Sequence, residues 1–430
     1  MPEMKNSGIE WIGEIPSHWA VLRNKYNFDL NKNIVGTAYK DTQLLSLTKN
    51  GVKAITEDDQ KGKVPTSFAT YQTVDKDDIV MCLFDLDVSA VFSGISPYEG
   101  MISPAYKCFK CKEHLFPQYI DYYFRTVFVD RKYKRYSKNV RYSIGTDEFM
   151  ALPILVPPLE VQKSIANFLD QKCSEIDSLS ADIQSQIDVL EEYKKSVITE
   201  AVTKGLNPDV EMKNSGIELI GMIPAHWAIK RTKYIANSLS KGNGITKEQV
   251  FDDGDIQCVR YGEIYSKYEQ SFDKTLSSTK LNQITSPKHI QYGDILFAGT
   301  GELIEEIGKN IVFLGTEPCL AGGDIVVLKH SQNPRFLNYA LNSTYSQEQK
   351  SKGKAKLKVV HISATDIGNI LITLPPIAEQ DAIAEFLDKT CNDIDMSIAD
   401  KKAQLETLAE YKKSLIYEYV TGKKEVPENV

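Results

Sequence analysis

Two stretches of the chain carry apolar residues at a seven-residue period. Between 161 and 203, Leu169, Ile176, Ile183, Leu190 and Val197 recur every seven positions, and Cys173, Ser180, Ile187 and Lys194 fill the four-residue offset less strictly. Between 379 and 421, Leu387, Ile394, Lys401, Leu408 and Leu415 do the same beside Cys391, Ile398 and Leu405. Neither stretch contains proline or glycine. The pattern predicts two long helices with a coiled-coil-like seam. Pro157-Pro158 and Pro375-Pro376 suit an extended approach to each helix, and Gly205 and Gly422 suit the stops. At 1.5 Å per residue each helix spans roughly 60 Å. A lone apolar stripe of that length needs a cover, and the simplest cover is the other stretch, paired antiparallel. Lys401 interrupts the second seam, as a register device or as an edge position.

Outside these arms the pattern shortens. DIVMCLF (78–84), YKCFKC (106–111), DILFAG (294–299) and DIVVLK (324–329) read as short strands separated by turn residues. Short helices are expected at 117–130 and 333–349.

The chain is also a tandem repeat. MKNSGIEWIGEIPSHW (4–19) returns as MKNSGIELIGMIPAHW (212–227), and Arg23, Lys25 and Tyr26 return as Arg231, Lys233 and Tyr234. PPLEVQKSIANFLDQKCSEID (157–177) returns as PPIAEQDAIAEFLDKTCNDID (375–395), and EYKKS appears at 192–196 and at 410–414. The middles, 28–135 and 236–350, show little likeness. One frame holding two different interiors suits a protein that reads two different things; the alternative is an old duplication whose loops drifted without purpose. The expected fold is α+β: two mixed α/β domains joined by two long antiparallel coiled-coil-like helices, a pseudo-two-fold tandem repeat. The expected segments are 1–156 and 205–374 for the domains, with 157–204 and 375–430 for the helical regions.

Composition narrows the class. The chain has 430 residues, 42% hydrophobic and 25% charged, as in ordinary soluble proteins of more than one domain. No run of about 18 apolar residues suggests a membrane span, and the N-terminus does not read as a secretory signal. Seven scattered cysteines fit a reducing, cytoplasmic compartment. The net charge of −7 disfavours a generic nucleic-acid binder, but its distribution matters more. Residues 159–204 carry −4 and 377–424 carry −3, so the remainder is neutral. The acidic surplus lies on the helices, which suits protein contacts better than DNA wrapping.

Within that neutral remainder, RKYKRYSKNVR (131–141) and KSKGKAKLK (350–358) are basic and free of acids, and they fall at the same place in both copies. Lysine and arginine beside tyrosines suit phosphate contact; alternating lysines also suit a protected edge strand. Candidate DNA-binding residues are Arg131, Lys132, Lys134, Arg135, Lys138 and Arg141 in the first copy. In the second they are Lys350, Lys352, Lys354, Lys356 and Lys358. Arg260 joins Arg141 and Arg335 as a candidate base reader, since arginine pairs well with guanine.

Other constellations are weak. FAGTG (297–301) resembles a glycine-rich S-adenosylmethionine loop, yet no (N/D)PP(Y/F) motif accompanies it. Cys108, Cys111 and His114, with Cys82 upstream, lack a second ligand pair for zinc. His18 and His226 have no evident nucleophile or carboxylate partner. PDVEMK (208–213) sets its carboxylates too close in sequence for a nuclease, and no Walker-type loop is present. No catalytic residue and no metal site are assigned.

The two markers GIEWIGEIPSHW and PPLEVQKSIANFLD, each occurring twice, resemble those of type I restriction–modification specificity subunits over essentially the whole chain. Lys163 and Ser164 stand where the second copy has Asp381 and Ala382, a small departure. The resemblance implies that each middle is a target-recognition domain for one half of a bipartite double-stranded DNA site. It implies that the arms set the gap and dock two methylation subunits, with two restriction subunits completing the nuclease. S-adenosylmethionine, ATP and magnesium are then expected on those partners, with no cofactor in this chain. The competing readings are a scaffold or decoy that binds methylation subunits without DNA, and a DNA adenine methyltransferase.

Overall fold

The computed structural model describes residues 3–49, 51–56, 58–59, 65–89, 91–129, 131–137, 142–301, 307–352 and 360–427. The chain forms two units, Met1–Gln184 with Ala403–Val430, and Ser185–Lys402. Helices among the described residues are α1 (Pro117–Val129), α2 (Thr146–Ala151), α3 (Leu159–Lys204), α4 (Tyr261–Ser266), α5 (Pro334–Asn342), α6 (Thr344–Ser351), α7 (Ala364–Asn369) and α8 (Ile377–Val420). The two heptad stretches are thus α3 and α8. Each gives one half to each unit, so the helices do not stand apart as the separate segments 157–204 and 375–430.

In the first unit a hairpin pairs Met4–Asn6 with Glu14–Pro16, and Ala20–Arg23 pairs antiparallel with Pro153–Val156. The main sheet is antiparallel in the order Phe28–Leu30, Lys107–Cys111, Ile79–Met81, Ser93–Ile95. Helix α1 covers it through Tyr119, Tyr123 and Phe124, which are buried with Phe28, Phe109 and Phe149.

The second unit repeats this plan. Met212–Asn214 pairs with Met222–Pro224, and Ala228–Arg231 with Leu371–Leu374, in the same registers. Its main sheet runs Ala236–Lys241, Ile325–His330, Ile295–Ala298, Asn310–Phe313, with Ser271–Phe272 added in parallel at the edge. A second sheet sets Ile256–Val259 parallel to Cys319–Ala321, where the first unit has a single parallel bridge between Leu44 and Met101. The middles therefore share strand order despite their unlike sequences.

One local device recurs before each central strand. Asp77 (φ 68°) and Gly293 (φ 89°) both occupy the left-handed region. Their amides donate to Ser96 O and Phe313 O, both at 2.8 Å. The next residue, buried Asp78 or Asp294, accepts from the amide three positions back at 3.0 and 2.9 Å. A short polar residue or glycine tolerates the left-handed turn.

The long helices pair antiparallel within each unit. In the first, Lys412 meets Asp177 at 2.6 Å and Phe168 packs on Tyr419 with ring centroids 4.5 Å apart. In the second, Lys194 meets Asp395 at 2.5 Å and Lys402 meets Glu191 at 3.9 Å. Leu169, Ile176, Ile183, Leu387, Ile394 and Leu415 are buried, while Leu190, Val197 and Leu408 are half-buried. Lys401 lies at the seam's edge and bonds the Gln186 side chain.

Two repeated residues fasten the helices to the sheets. Buried Gln162 donates to His114 O and Pro157 O and accepts from Phe116 N; buried Gln380 donates to Gln332 Oε1 and Pro375 O and accepts from Asn333 N. Each amide thus ties the start of a long helix to the start of α1 or α5, with its own oxygen and nitrogen both hydrogen-bonded. Beyond the helix ends, Gly205 and Gly422 have φ +76° and +70°, and a Cβ there would lie 3.1 and 3.0 Å from Trp227 and Trp19. Only glycine supplies both the turn and the clearance.

One expectation changes. The helix expected at 333–349 is two helices, broken at Ser343, whose ψ of 158° is extended. The helix expected at 117–130 forms over Pro117–Val129, and residue 130 lies outside the described residues. FAGTG starts on a strand flanked antiparallel on both sides, not on the parallel strand of a cofactor loop. Among the described residues no helix is long and apolar enough to cross a membrane, and no cluster of three or more His, Cys, Asp or Glu is placed to hold a metal.

Candidate nucleic-acid interface

The basic segment of the first unit begins as a 3₁₀ turn, Lys132–Tyr136, entered through Arg131 at φ 52°. Arg131 is committed to the fold. Its guanidinium donates to Ser89 O at 2.6 Å and Leu86 O at 3.3 Å and lies 4.4 Å from the Phe128 ring. Lys132 donates to Thr126 O at 2.8 Å and sits between the rings of Trp11 and Tyr417, 4.7 and 5.4 Å away. Lys134 lies 4.1 Å over Tyr142 and is half-exposed. Arg135 is exposed and pairs with Glu10 at 2.5 Å. Of these four, Arg135 is exposed, while Arg131, Lys132 and Lys134 are half-buried. Lys138 and Arg141 lie outside the described residues.

The second unit corrects one candidate outright. Lys350, on the last turn of α6, is 2% exposed. Its Nζ donates to Gly308 O at 2.9 Å and Asn310 Oδ1 at 2.8 Å, 5.6 Å from the Phe297 ring. Burial holds the amine down to about 7. A buried amine among neutral acceptors cannot reach a phosphate, so Lys350 is a core pin. Alternation of lysines in sequence did not show that α6 turns this one inward. Lys352 is exposed, and Lys354, Lys356 and Lys358 lie outside the described residues.

Arg260 precedes α4, and its amide donates to Glu263 Oε2 at 2.8 Å. Its guanidinium is partly exposed, 3.8 Å from Glu263, and its Nε–H is buried without an acceptor. Gly322 runs beside its backbone, where a Cβ would lie 3.5 Å from the Arg260 Cα. Exposed Tyr261 follows. This donor-bearing edge suits base or phosphate contact better than the buried lysine does. Arg335, by contrast, is tied to Asp388 at 2.5 Å.

The repeat also holds a cationic turn that was legible in the sequence as a match but not as a site. In each unit the strand ending at Arg23 or Arg231 leads into a 3₁₀ turn, Asn24–Tyr26 or Thr232–Tyr234. The first residue of each turn is fully buried, and its amide donates to Leu152 O at 2.8 Å or Ile370 O at 2.9 Å. Its neighbours, Arg23, Lys25 and Tyr26, or Arg231, Lys233 and Tyr234, are exposed.

The cysteines and histidines form no second site. Burial pushes the Cys108 and Cys111 thiols up to about 12, and His114 Nε2 lies 2.9 Å from Asn27 Oδ1. His226 Nε2 lies 2.7 Å from Glu379 Oε1, and Trp227 Nε1 donates to the other oxygen of that carboxylate at 2.9 Å. That trio anchors the start of α8.

Comparison with known proteins agrees with this architecture. Residues 224–407 match the family model of the type I restriction modification DNA specificity domain. The MjaVIII type I restriction enzyme specificity subunit of Methanocaldococcus jannaschii is 28% identical over 281 residues, 64% of this chain and 63% of that protein. The MjaX specificity subunit of the same organism is 26% identical over 96% of this chain and 95% of its own length. A chain from a structure described as the basis of complex assembly and conformational transition of the type I R-M system superposes with a TM-score of 0.72. It is 13% identical and covers 95% of this chain and 99% of its own, so it shares the fold. The duplicated frame and these similarities agree: over most of its length the chain is similar to specificity subunits of type I restriction–modification systems.

Proposed function

We propose that the chain is the sequence-specific DNA-recognition subunit of a type I restriction–modification complex, with each unit reading one half of a bipartite site. The observation that carries this is the repetition of one strand order with different residues on it. A common frame presents two surfaces, as two unlike half-sites require. The long helices set the gap between half-sites and dock the methylation subunits, two per chain, and two restriction subunits complete the assembly. S-adenosylmethionine, ATP and magnesium act on those partners; this chain is non-catalytic and works in the cytoplasm. Half-sites in a groove are accepted only at a matching helical spacing.

The test is selection from random duplexes by the chain with its methylation subunit, followed by sequencing. A bipartite motif with a fixed gap is expected. Binding with no motif favours a scaffold and overturns the reading. Removing one facing heptad from both α3 and α8 shortens the paired helices by about 10 Å. The gap should then fall by about three base pairs at 3.4 Å each, with the half-sites unchanged.

A further inference from the structure

We propose that the Arg-x-Lys-Tyr turn of each unit, Arg23, Lys25 and Tyr26 in the first and Arg231, Lys233 and Tyr234 in the second, grips the sugar–phosphate backbone of DNA irrespective of base sequence. The inference rests on the recognition reading and names residues that hold the duplex without reading it.

Charge carries the argument first. Several basic side chains elsewhere are spent on carboxylates: Arg125 on Asp121, Lys241 on Asp324, Lys280 on Asp253, Lys329 on Asp294. Among the described residues no carboxylate pairs with Arg23, Lys25, Arg231 or Lys233, and Arg231 donates only to the neutral Asn369 amide at 3.0 Å. Each turn thus offers two cations to an outside anion. Shape comes second. Tyr26 and Tyr234 are 56% and 70% exposed, so each ring is open to an outside surface. Lys25 and Lys233 lie over those rings at 4.9 and 5.2 Å. The ring holds the ammonium up, and its hydroxyl adds a donor beside it. The buried residue of each turn pins the backbone, so the cations stand on a fixed base.

Repetition decides the ligand. The middles have diverged, as surfaces for different bases would. These turns have kept the same three side chains in the same conformation, so what they touch is the same in both units. In a duplex carrying two different half-sites, the invariant component is the phosphate backbone. Two uncompensated cations per turn match a polyanion better than they match a neutral protein face.

The test uses the full chain with its methylation subunit. Arg23→Gln/Lys25→Gln and Arg231→Gln/Lys233→Gln are titrated by fluorescence anisotropy across a salt series. One duplex carries the selected bipartite motif and another is scrambled. Each double variant should weaken both duplexes alike and lower the slope of log K against log salt by about 1 for each phosphate no longer engaged. The selected motif should not change. Unchanged slopes on both duplexes overturn the proposal. So does failure to bind the methylation subunit with the salt slope intact, which would make the turns protein-docking surfaces. If the wild type selects no motif, the recognition reading falls separately, and the slope on scrambled DNA still decides the turns.

Discussion

The two units put matched residues to different uses. Lys132 and Lys350 hold corresponding places in the repeat, yet one lies half-exposed between Trp11 and Tyr417 and the other is sealed in the core. The difference follows from their neighbours. In the second unit Leu219 stands in the place of Trp11 and Thr199 in the place of Tyr417. Thr199 bonds Thr344 instead, and α6 turns its lysine toward Gly308 and Asn310. By contrast, the residues that tie helix to sheet do the same work twice. Shared sequence in this molecule marks shared joints, while a shared lysine outside the joints guarantees neither exposure nor role.

That comparison can be broken at its strongest point first. Trp19→Ala and Trp227→Ala remove rings that are 3% and 1% exposed, and each should destabilise its own unit by about 3–5 kcal/mol. Hydrogen exchange resolves the units separately; a destabilisation of one unit under half that of the other would end the claim that the joints are equivalent. The lysines sharpen the contrast next. Lys350 is held at about 7 against an ordinary 10.5. The unfolded chain therefore binds the proton more readily, and stability falls as pH drops from about 10.5 to about 7, then levels. Relative to Lys350→Met, the wild type should lose about 2.7 kcal/mol between pH 9.5 and 7.5, at 1.36 kcal/mol per unit. Parallel denaturation curves at the two pH values would refute the buried charge. Smallest are the helix ion pairs. Lys194 and Asp395 are 18% and 38% exposed, against 24% and 66% for Lys412 and Asp177. Lys194→Ala should cost about 1 kcal/mol and Lys412→Ala about half that, both shrinking in high salt. The reverse order in thermal melts would show that partial burial does not strengthen the pair.

Much of the frame was legible because it is periodic or repeated. The seven-residue stripe needs no tertiary knowledge, and its residues from Leu169 to Ile183 are buried as such a stripe must be. The break at Ser343 was not legible, because nothing local forbids a continuous helix from 333 to 349. The equivalence of the middles escaped comparison of residues for a physical reason. Strand order is kept by alternate burial and by turns such as those at Asp77 and Gly293, which tolerate many side chains. The one visible trace was the Asp-Ile that opens both central strands, at 78–79 and 294–295. Among the candidate DNA-binding residues, basic composition located the segments but could not say which side chains face outward. Arg131 and Lys132 are held by carbonyls and rings, and Lys350 is inside. The turns at Arg23 and Arg231 were visible only as a match, since exposure is not written in a sequence.

The sequence by itself determined the duplication, the two long helices, the acidic character of those helices and the family that the paired markers resemble. These are properties of order and periodicity along the chain. The tertiary structure alone decided which half of each helix serves which unit, that both middles use one strand order, and which cations remain uncommitted. Those depend on distances between residues far apart in sequence, where burial and hydrogen-bond partners are settled.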